Sequence, residues 1–345
     1  MGMALFPATR RQRAMALLRI GILLAALAGA LGHATRMPGR SHAGSLPPLT
    51  EEESAMRDRM REDLRRLAGE IGERHIGRLP ALRAAEALIE DAFAQAGYAP
   101  VSQPFEARGT TVRNIEIELT GTRDPDEIVV IGAHYDTVPG SPGANDNGSG
   151  VVALLEMARQ FAGHSFPRTI RFVAFVNEEP PFYQTPEMGS WVYARRARER
   201  REDIVAMMSL ETIGCYRDEP GTQQYPFPFN WFYPDTGNFI AFVGNVRSRR
   251  LVRRTLADFR SHTAFPSEGV AAFGFLPGLG WSDHWSFWRH GYPALMVTDT
   301  ALFRYAHYHS PADTPDRVDV ERMARVVAGL VRVARQWAGG EESDQ

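Results

Sequence analysis

Apolar and polar positions along the chain follow two periods, one helical and one of alternating residues, and the switches between them mark out its elements. From Glu51 to about Gly72 the apolar residues Met56, Met60, Leu64 and Leu67 recur at helical spacing. Thr50 and Glu53 stand where a capping box opens such a helix. A second helix is predicted from Leu82 to Gly97, with Gly97 as its stop. Val101–Ala107 and Val112–Leu119 alternate and suit an antiparallel pair at a sheet edge. Three continuous apolar runs, Ile128–Ala133, Thr169–Val176 and Ile204–Leu210, read as strands buried on both faces. Phe239–Val243 and Ala294–Thr298 are shorter strands. Helical patterns cover Gly150–Phe161, Gly189–Arg200, Arg249–Phe259 and, most strongly, Val318–Trp337. Strands alternating with helices predict an α/β fold in three layers, with a mainly parallel central sheet and helices on both faces.

The first 34 residues follow a different pattern. Arg10, Arg11 and Arg13 precede an apolar run from Ile20 to Leu31, and Gly32-His33-Ala34 supplies small residues where a signal peptidase cuts. Residues 1–34 therefore read as a signal peptide. An uncleaved anchor is the alternative, reached only if the span starts at Ala14 and runs through Arg19. Either way the protein is expected outside the cytoplasm, periplasmic or secreted, or held at a membrane through its N-terminus. The Gly-, Ser- and Pro-rich residues 35–49 read as a linker, and 50–340 as one folded domain.

Charge and composition exclude several functions. Beyond residue 34 the chain holds 35 basic and 41 acidic residues, a net charge of −6, which gives no electrostatic footprint for nucleic acid. It has no lysine, so Schiff-base and Ser–Lys chemistry are ruled out. Its one cysteine, Cys215, has no partner for an internal disulfide and sits in an apolar stretch, which suits a core residue rather than a nucleophile.

What remains is a set of polar residues placed directly after the buried strands. His134-Tyr135-Asp136 follows the first, Asn177-Glu178-Glu179 the second and Glu211 the third. Ligands bind beyond the carboxyl ends of parallel strands, so three strands deliver these groups to one rim. Asp146 lies in a glycine-rich loop before a helix, and His309 in Tyr308-His309-Ser310-Pro311-Ala312-Asp313-Thr314. Singly, each is an ordinary polar residue; on one rim, imidazole and carboxylate groups in this number suit a borderline metal such as zinc.

The stretches His134-Tyr135-Asp136, Gly143-Ala144-Asn145-Asp146-Asn147-Gly148-Ser149-Gly150, Asn177-Glu178-Glu179, Met188-Gly189-Ser190 and His309-Ser310-Pro311-Ala312-Asp313-Thr314 resemble the M28 peptidases, from about residue 65 to 338 and in the same order. That family comprises di-zinc aminopeptidases and carboxypeptidases, with glutaminyl cyclases as relatives. The resemblance implies a zinc-exopeptidase-like fold and roles position by position. His134 and Glu211 would hold one zinc, Glu179 and His309 the other, and Asp146 would bridge them. Asp136 would orient His134, and Glu178 would be the general base. Two zinc ions are expected. The family's well-known members more often carry Asp at the position of Glu211, and the extra methylene alters the reach, so a one-zinc enzyme is the variant to test.

The resemblance thus implies a zinc exopeptidase acting on a peptide or aminoacyl substrate, an aminopeptidase first. Its alternatives are a one-zinc glutaminyl cyclase and a receptor-like ectodomain without catalysis. Two further segments stand out. Trp281-Ser282-Asp283-His284 offers either a substrate contact from His284 or a helix cap at Ser282 or Asp283. Between Gln223 and Asn238, Tyr225, Phe227, Phe229, Trp231, Phe232 and Tyr233 form an aromatic insertion expected to wall a substrate pocket.

Overall fold

The helix start predicted at Thr50 is made by both halves of its capping box. The Glu53 N–H donates to Thr50 Oγ1 at 3.1 Å, and the Thr50 N–H donates to Glu53 Oε2 at 2.8 Å. The computed structural model describes residues 9–339, which divide between Arg36 and Met37 into two units.

The first unit is one helix, α1 (Arg10–Thr35). It runs on both sides of the predicted apolar stretch because arginine is a good helix former, so Arg19 does not interrupt the backbone. Its most apolar window has a mean hydropathy of 2.2 and is not buried, and by length and composition the helix suffices to cross a membrane.

The second unit holds helices α2 (Glu51–Leu64, widening into a π-helical turn over Arg65–Ile71) and α3 (Leu79–Gln95), then β1 (Val101–Ala107), β2 (Thr110–Leu119), β3 (Asp124–His134), α4 (Gly150–Phe161), β4 (Arg168–Phe175), α5 (Gly189–Glu199), β5 (Asp203–Glu211), β6 (Ile240–Asn245), α6 (Arg249–His262), β7 (Ser267–Ala272), α7 (His284–Arg289), β8 (Ala294–Thr298) and α8 (Val320–Trp337). The eight strands form one sheet in the order β1-β2-β4-β3-β5-β8-β6-β7. The pairings β4–β3, β3–β5, β5–β8 and β6–β7 are parallel; β1–β2, β2–β4 and β8–β6 are antiparallel. The predicted antiparallel pair is thus the β1–β2 edge, and the buried runs are the central strands.

Period-two alternation sorts the central strands between two cores. Val129, Ile131 and Ala133 of β3 join Ile170, Phe172 and Ala174 of β4 under α2, α3, α4, α6 and α8. Ile128 and Val130, with Val173 and Phe175, face the smaller layer built by Tyr193, Ala194 and Ala197 of α5 and Phe287 of α7. Residues 37–49 carry no helix or strand, yet they lie along this unit. Arg260 donates to the Pro38 carbonyl at 2.8 Å, the Ser267 N–H to Ser41 Oγ at 2.8 Å, and Arg325 to the Pro47 carbonyl at 2.8 Å.

Candidate metal centre

The topology brings the polar residues after β3, β4 and β5 to one rim. His134 and Glu211 are the last residues of their strands, and Glu178 and Glu179 follow β4. Asp146 sits in the turn before α4, where its peptide bond to Asn147 is cis. His309 reaches in from the loop after β8 with φ at 54°.

These side chains form two half-sites that share Asp146. On one side, His134 Nε2 lies 3.4 Å from Asp146 Oδ1 and 3.3 Å from Glu211 Oε2. On the other, His309 Nε2 lies 2.9 Å from Asp146 Oδ2 and 3.3 Å from Glu179 Oε1. His134, Asp146 and Glu179 each present a ligand atom within 4.8 Å of the others. Glu178 Oε2 stands back, 3.9 Å from His134 Nε2. His134 Nδ1 faces the Asp136 carbonyl oxygen at 3.2 Å and the Asp136 carboxylate at 3.5 Å. That carboxylate also accepts the backbone N–H groups of Glu178 and Glu179, at 3.1 and 3.2 Å. One Asp therefore ties the β3 and β4 termini together.

The donor set fits a divalent cation. His134 Nε2, Asp146 Oδ2 and Glu179 Oε1 are buried without a hydrogen-bond partner, and all three point into the cluster. Burial and neighbouring carboxylates raise Glu178 well above the usual carboxylate range, and Glu179 to about 8. Burial also raises Glu211. Burial lifts Asp146 as well, but the adjacent His134 and His309 imidazoles outweigh it and hold that carboxylate low. Burial lowers both imidazoles, yet the carboxylates around them win: His134 rises well above its ordinary value and His309 to about 10. Buried carboxylates short of compensating positive charge are what a bound cation would offset.

The loops that carry these groups are held from behind, by Arg74, which no motif announces, and by Gly143 and Asp313 within the motif stretches. Arg74, fully buried, donates to the carbonyls of Tyr135 (2.6 Å), Gly72 (3.0 Å), Pro142 (2.7 Å) and Gly143 (2.9 Å). It thus clamps the His134 and Asp146 loops to each other. Burial lowers its pKa to about 10, against the pull of Asp136, Asp313, Asp146 and Glu179. Gly143 sits at φ 60°, and a Cβ there would fall 2.3 Å from Thr137 and 2.5 Å from the Asp146 carbonyl oxygen, so only glycine fits. Asp313 accepts the N–H groups of Asn145 and Asp146 at 2.8 and 3.0 Å.

In the Trp281–His284 segment the contact to the centre comes from Ser282, not His284. Ser282 Oγ donates to Glu211 Oε2 at 2.7 Å. His284 is buried, with Nε2 2.7 Å from the Leu279 carbonyl and its ring edge-on to Trp288. Asp283 occupies the N-cap position of α7 without a side-chain cap bond.

Beside the first half-site lies a cavity of about 110 Å³, lined by Glu211 and Tyr308 from the centre and also by Tyr225, Phe229, Tyr233, Phe239, Met296 and Trp281. The aromatic insertion divides between the two sides of its own loop. Tyr225, Phe229 and Tyr233 line the cavity, whereas Phe227, Trp231 and Phe232 face solvent, at 76%, 68% and 43% exposure. A short 3-10 turn over Phe229–Trp231 carries one residue of each set.

The sequence profile of Peptidase family M28 matches residues 114–334. The chain is 37% identical over 284 residues to the uncharacterized protein YfbL of Escherichia coli K12, a match covering 79% of this chain and 86% of that one. Its fold is similar to that of BSAP, a zinc aminopeptidase from Bacillus subtilis, with a TM-score of 0.67 at 15% identity over 84% of this chain and 96% of that one. It is similar also to a glutaminyl cyclase from Fimbriiglobus ruber, with a TM-score of 0.62 at 21% identity over 88% and 99%. At such identities the structural likeness is one of fold. The profile match spans more than half of the chain and takes in both half-sites, and the chain belongs to peptidase family M28, as a hydrolase.

Proposed function

We propose that this chain is an exported two-zinc aminopeptidase selective for bulky apolar N-terminal residues. His134 and Glu211 would hold one ion, His309 and Glu179 the other, with Asp146 shared between them. The observation that carries the reading is Asp146 itself, whose two carboxylate oxygens each face a separate His–Glu pair. Zinc bound there supplies an activated water and a polarised scissile carbonyl.

The chain supplies the rest. Glu178 is the carboxylate left over when both half-sites are filled, and its backbone N–H is anchored on Asp136. In this role it takes the proton of the attacking water and returns it to the leaving amine. The apolar cavity receives the side chain of the residue being released. Two features favour the amino end of the substrate over the carboxyl end. Arginine is absent from the residues that line the cavity, and the chain has no lysine, so the cavity offers no cation to a terminal carboxylate. The rim beside it is rich in carboxylates, which suit an ammonium group. The apolar helix α1, with arginines at its start, supports export, as a cleaved signal or an anchor.

A panel of aminoacyl amides tests this reading. Leucyl and phenylalanyl amides should be cleaved in preference to alanyl and acidic ones, and N-terminally blocked peptides should be inert. Release of ammonia from N-terminal glutamine peptides without amide hydrolysis would replace it with a cyclase.

A further inference from the structure

At the edge of the sheet away from β1, strands β6 and β7 run together toward the end opposite the metal centre. β6 is antiparallel to β8, pairing Ala241 with Thr298 and Gly244 with Leu295, so its carboxyl end points away from the rim that holds the ligands. Asn245 pairs with Ala272 at that end. The next residues, Val246 and Phe273, therefore leave the sheet side by side, one strand spacing apart. Both are exposed, at 43% and 56%, and Phe275, at 81%, stacks on Phe273 with ring centroids 5.6 Å apart.

Arginine follows at once. Residues 247–254 read Arg-Ser-Arg-Arg-Leu-Val-Arg-Arg, five arginines and no acid, in a part of the chain whose net charge is negative. Arg247, Arg250 and Arg254 are exposed, and Arg250 and Arg254 lie one turn apart on the same helix face. Arg254 shares its charge with Asp258 at 3.8 Å. This placement works against the helix it belongs to. The first turn of α6 holds arginines and no acidic residue, and Ser248 makes no side-chain cap, although the positive end of the helix dipole disfavours cations.

We propose that this end of the sheet, where Val246, Phe273 and Phe275 stand beside Arg247, Arg250 and Arg254, docks the catalytic unit on an anionic bilayer surface. Aromatic side chains enter the interfacial layer, and neighbouring arginines pair with lipid phosphates. Docking by this end turns the metal centre away from the lipid, toward soluble substrate.

The test uses the chain from Met37 onward, which contains both hydrophobic cores. It is sedimented with vesicles of phosphatidylcholine alone and of phosphatidylcholine mixed with phosphatidylglycerol. Binding should appear only on the mixed vesicles and weaken as salt is added. The triple substitution Arg247→Glu, Arg250→Glu, Arg254→Glu should weaken it by roughly 100-fold or more, and Phe273→Ser with Phe275→Ser should also release it, with circular dichroism unchanged in both. Binding that ignores lipid charge, no binding at all, or full binding by the folded charge-reversed variant overturns the proposal. A dimer in light scattering that the phenylalanine substitutions abolish would overturn it too, in favour of self-association.

Discussion

Arg74 offers the sharpest separation between a structural ornament and a working brace. Arg74→Met keeps an unbranched chain in the same space but deletes four hydrogen bonds to the carbonyls of Gly72, Tyr135, Pro142 and Gly143. It also strips a buried cation from the neighbourhood of Asp136, Asp146, Asp313 and Glu179. A hydrogen bond from a charged donor contributes about 1.5–3 kcal/mol, and the four are not additive because one fork makes them all. Removing one partner of a buried charged network costs about 3–5 kcal/mol, a large share of the roughly 5–15 kcal/mol that holds a domain together. Urea unfolding of the metal-free protein should therefore show a loss of about that size at unchanged m-value. Because the clamp joins the His134 and Asp146 loops, zinc affinity measured by chelator competition should fall by about 10- to 100-fold. Arg74→Lys, with charge but no fork, should fall between. A loss below about 1 kcal/mol with zinc affinity intact would refute the argument.

Glu178→Gln should keep its zinc and lose about 10²- to 10⁴-fold in kcat; a variant with wild-type turnover would remove Glu178 from the base role. Tyr233→Ala or Phe229→Ala should lower kcat/KM for phenylalanyl relative to alanyl amides by roughly 10- to 200-fold, while Trp231→Ala, outside the cavity, should leave the ratio unchanged. His284 predicts a pH effect. Burial pulls its pKa down to about 4, against about 6.5 when unfolded. Between those values the unfolded chain binds a proton that the folded chain refuses. The stability contributed by neutral His284 is thus complete above the unfolded value and declines as pH falls toward 4, by up to about 3 kcal/mol. The stability gap between wild type and His284→Gln should narrow over that window, and a constant gap counts against a buried neutral imidazole.

Much of the centre could be read from the chain because a parallel sheet converts sequence order into spatial order. His134, Glu179 and Glu211 each follow a run of buried β-formers, so placing the strands placed the side chains. Asp146 and His309 come from loops, and only their flanking residues, Asn-Asp-Asn-Gly and Pro-Ala-Asp-Thr, single them out. The strand β7 has no clear signal in the sequence because Ser267-Glu268-Gly269-Val270-Ala271-Ala272 is small and mixed, as an edge strand with a glycine can be. The helix α7 is a six-residue piece, too short to show a period. Arg74 lies in Gly72-Glu73-Arg74-His75, where no periodicity exists, and its role depends on loops about 60 to 70 residues away in the chain. Which aromatics of the 223–238 insertion face inward is set by the path of the loop in space, with Tyr225, Phe229 and Tyr233 inside, and composition carries no record of that path.

Zinc stoichiometry by atomic emission, on protein loaded and then desalted, bears most directly on the shared-carboxylate centre. Wild type should retain two zinc ions per chain, Glu211→Ala one, and Asp146→Ala fewer than one. Wild-type protein that retains none, or an Asp146→Ala variant that retains both, would contradict the centre built on Asp146.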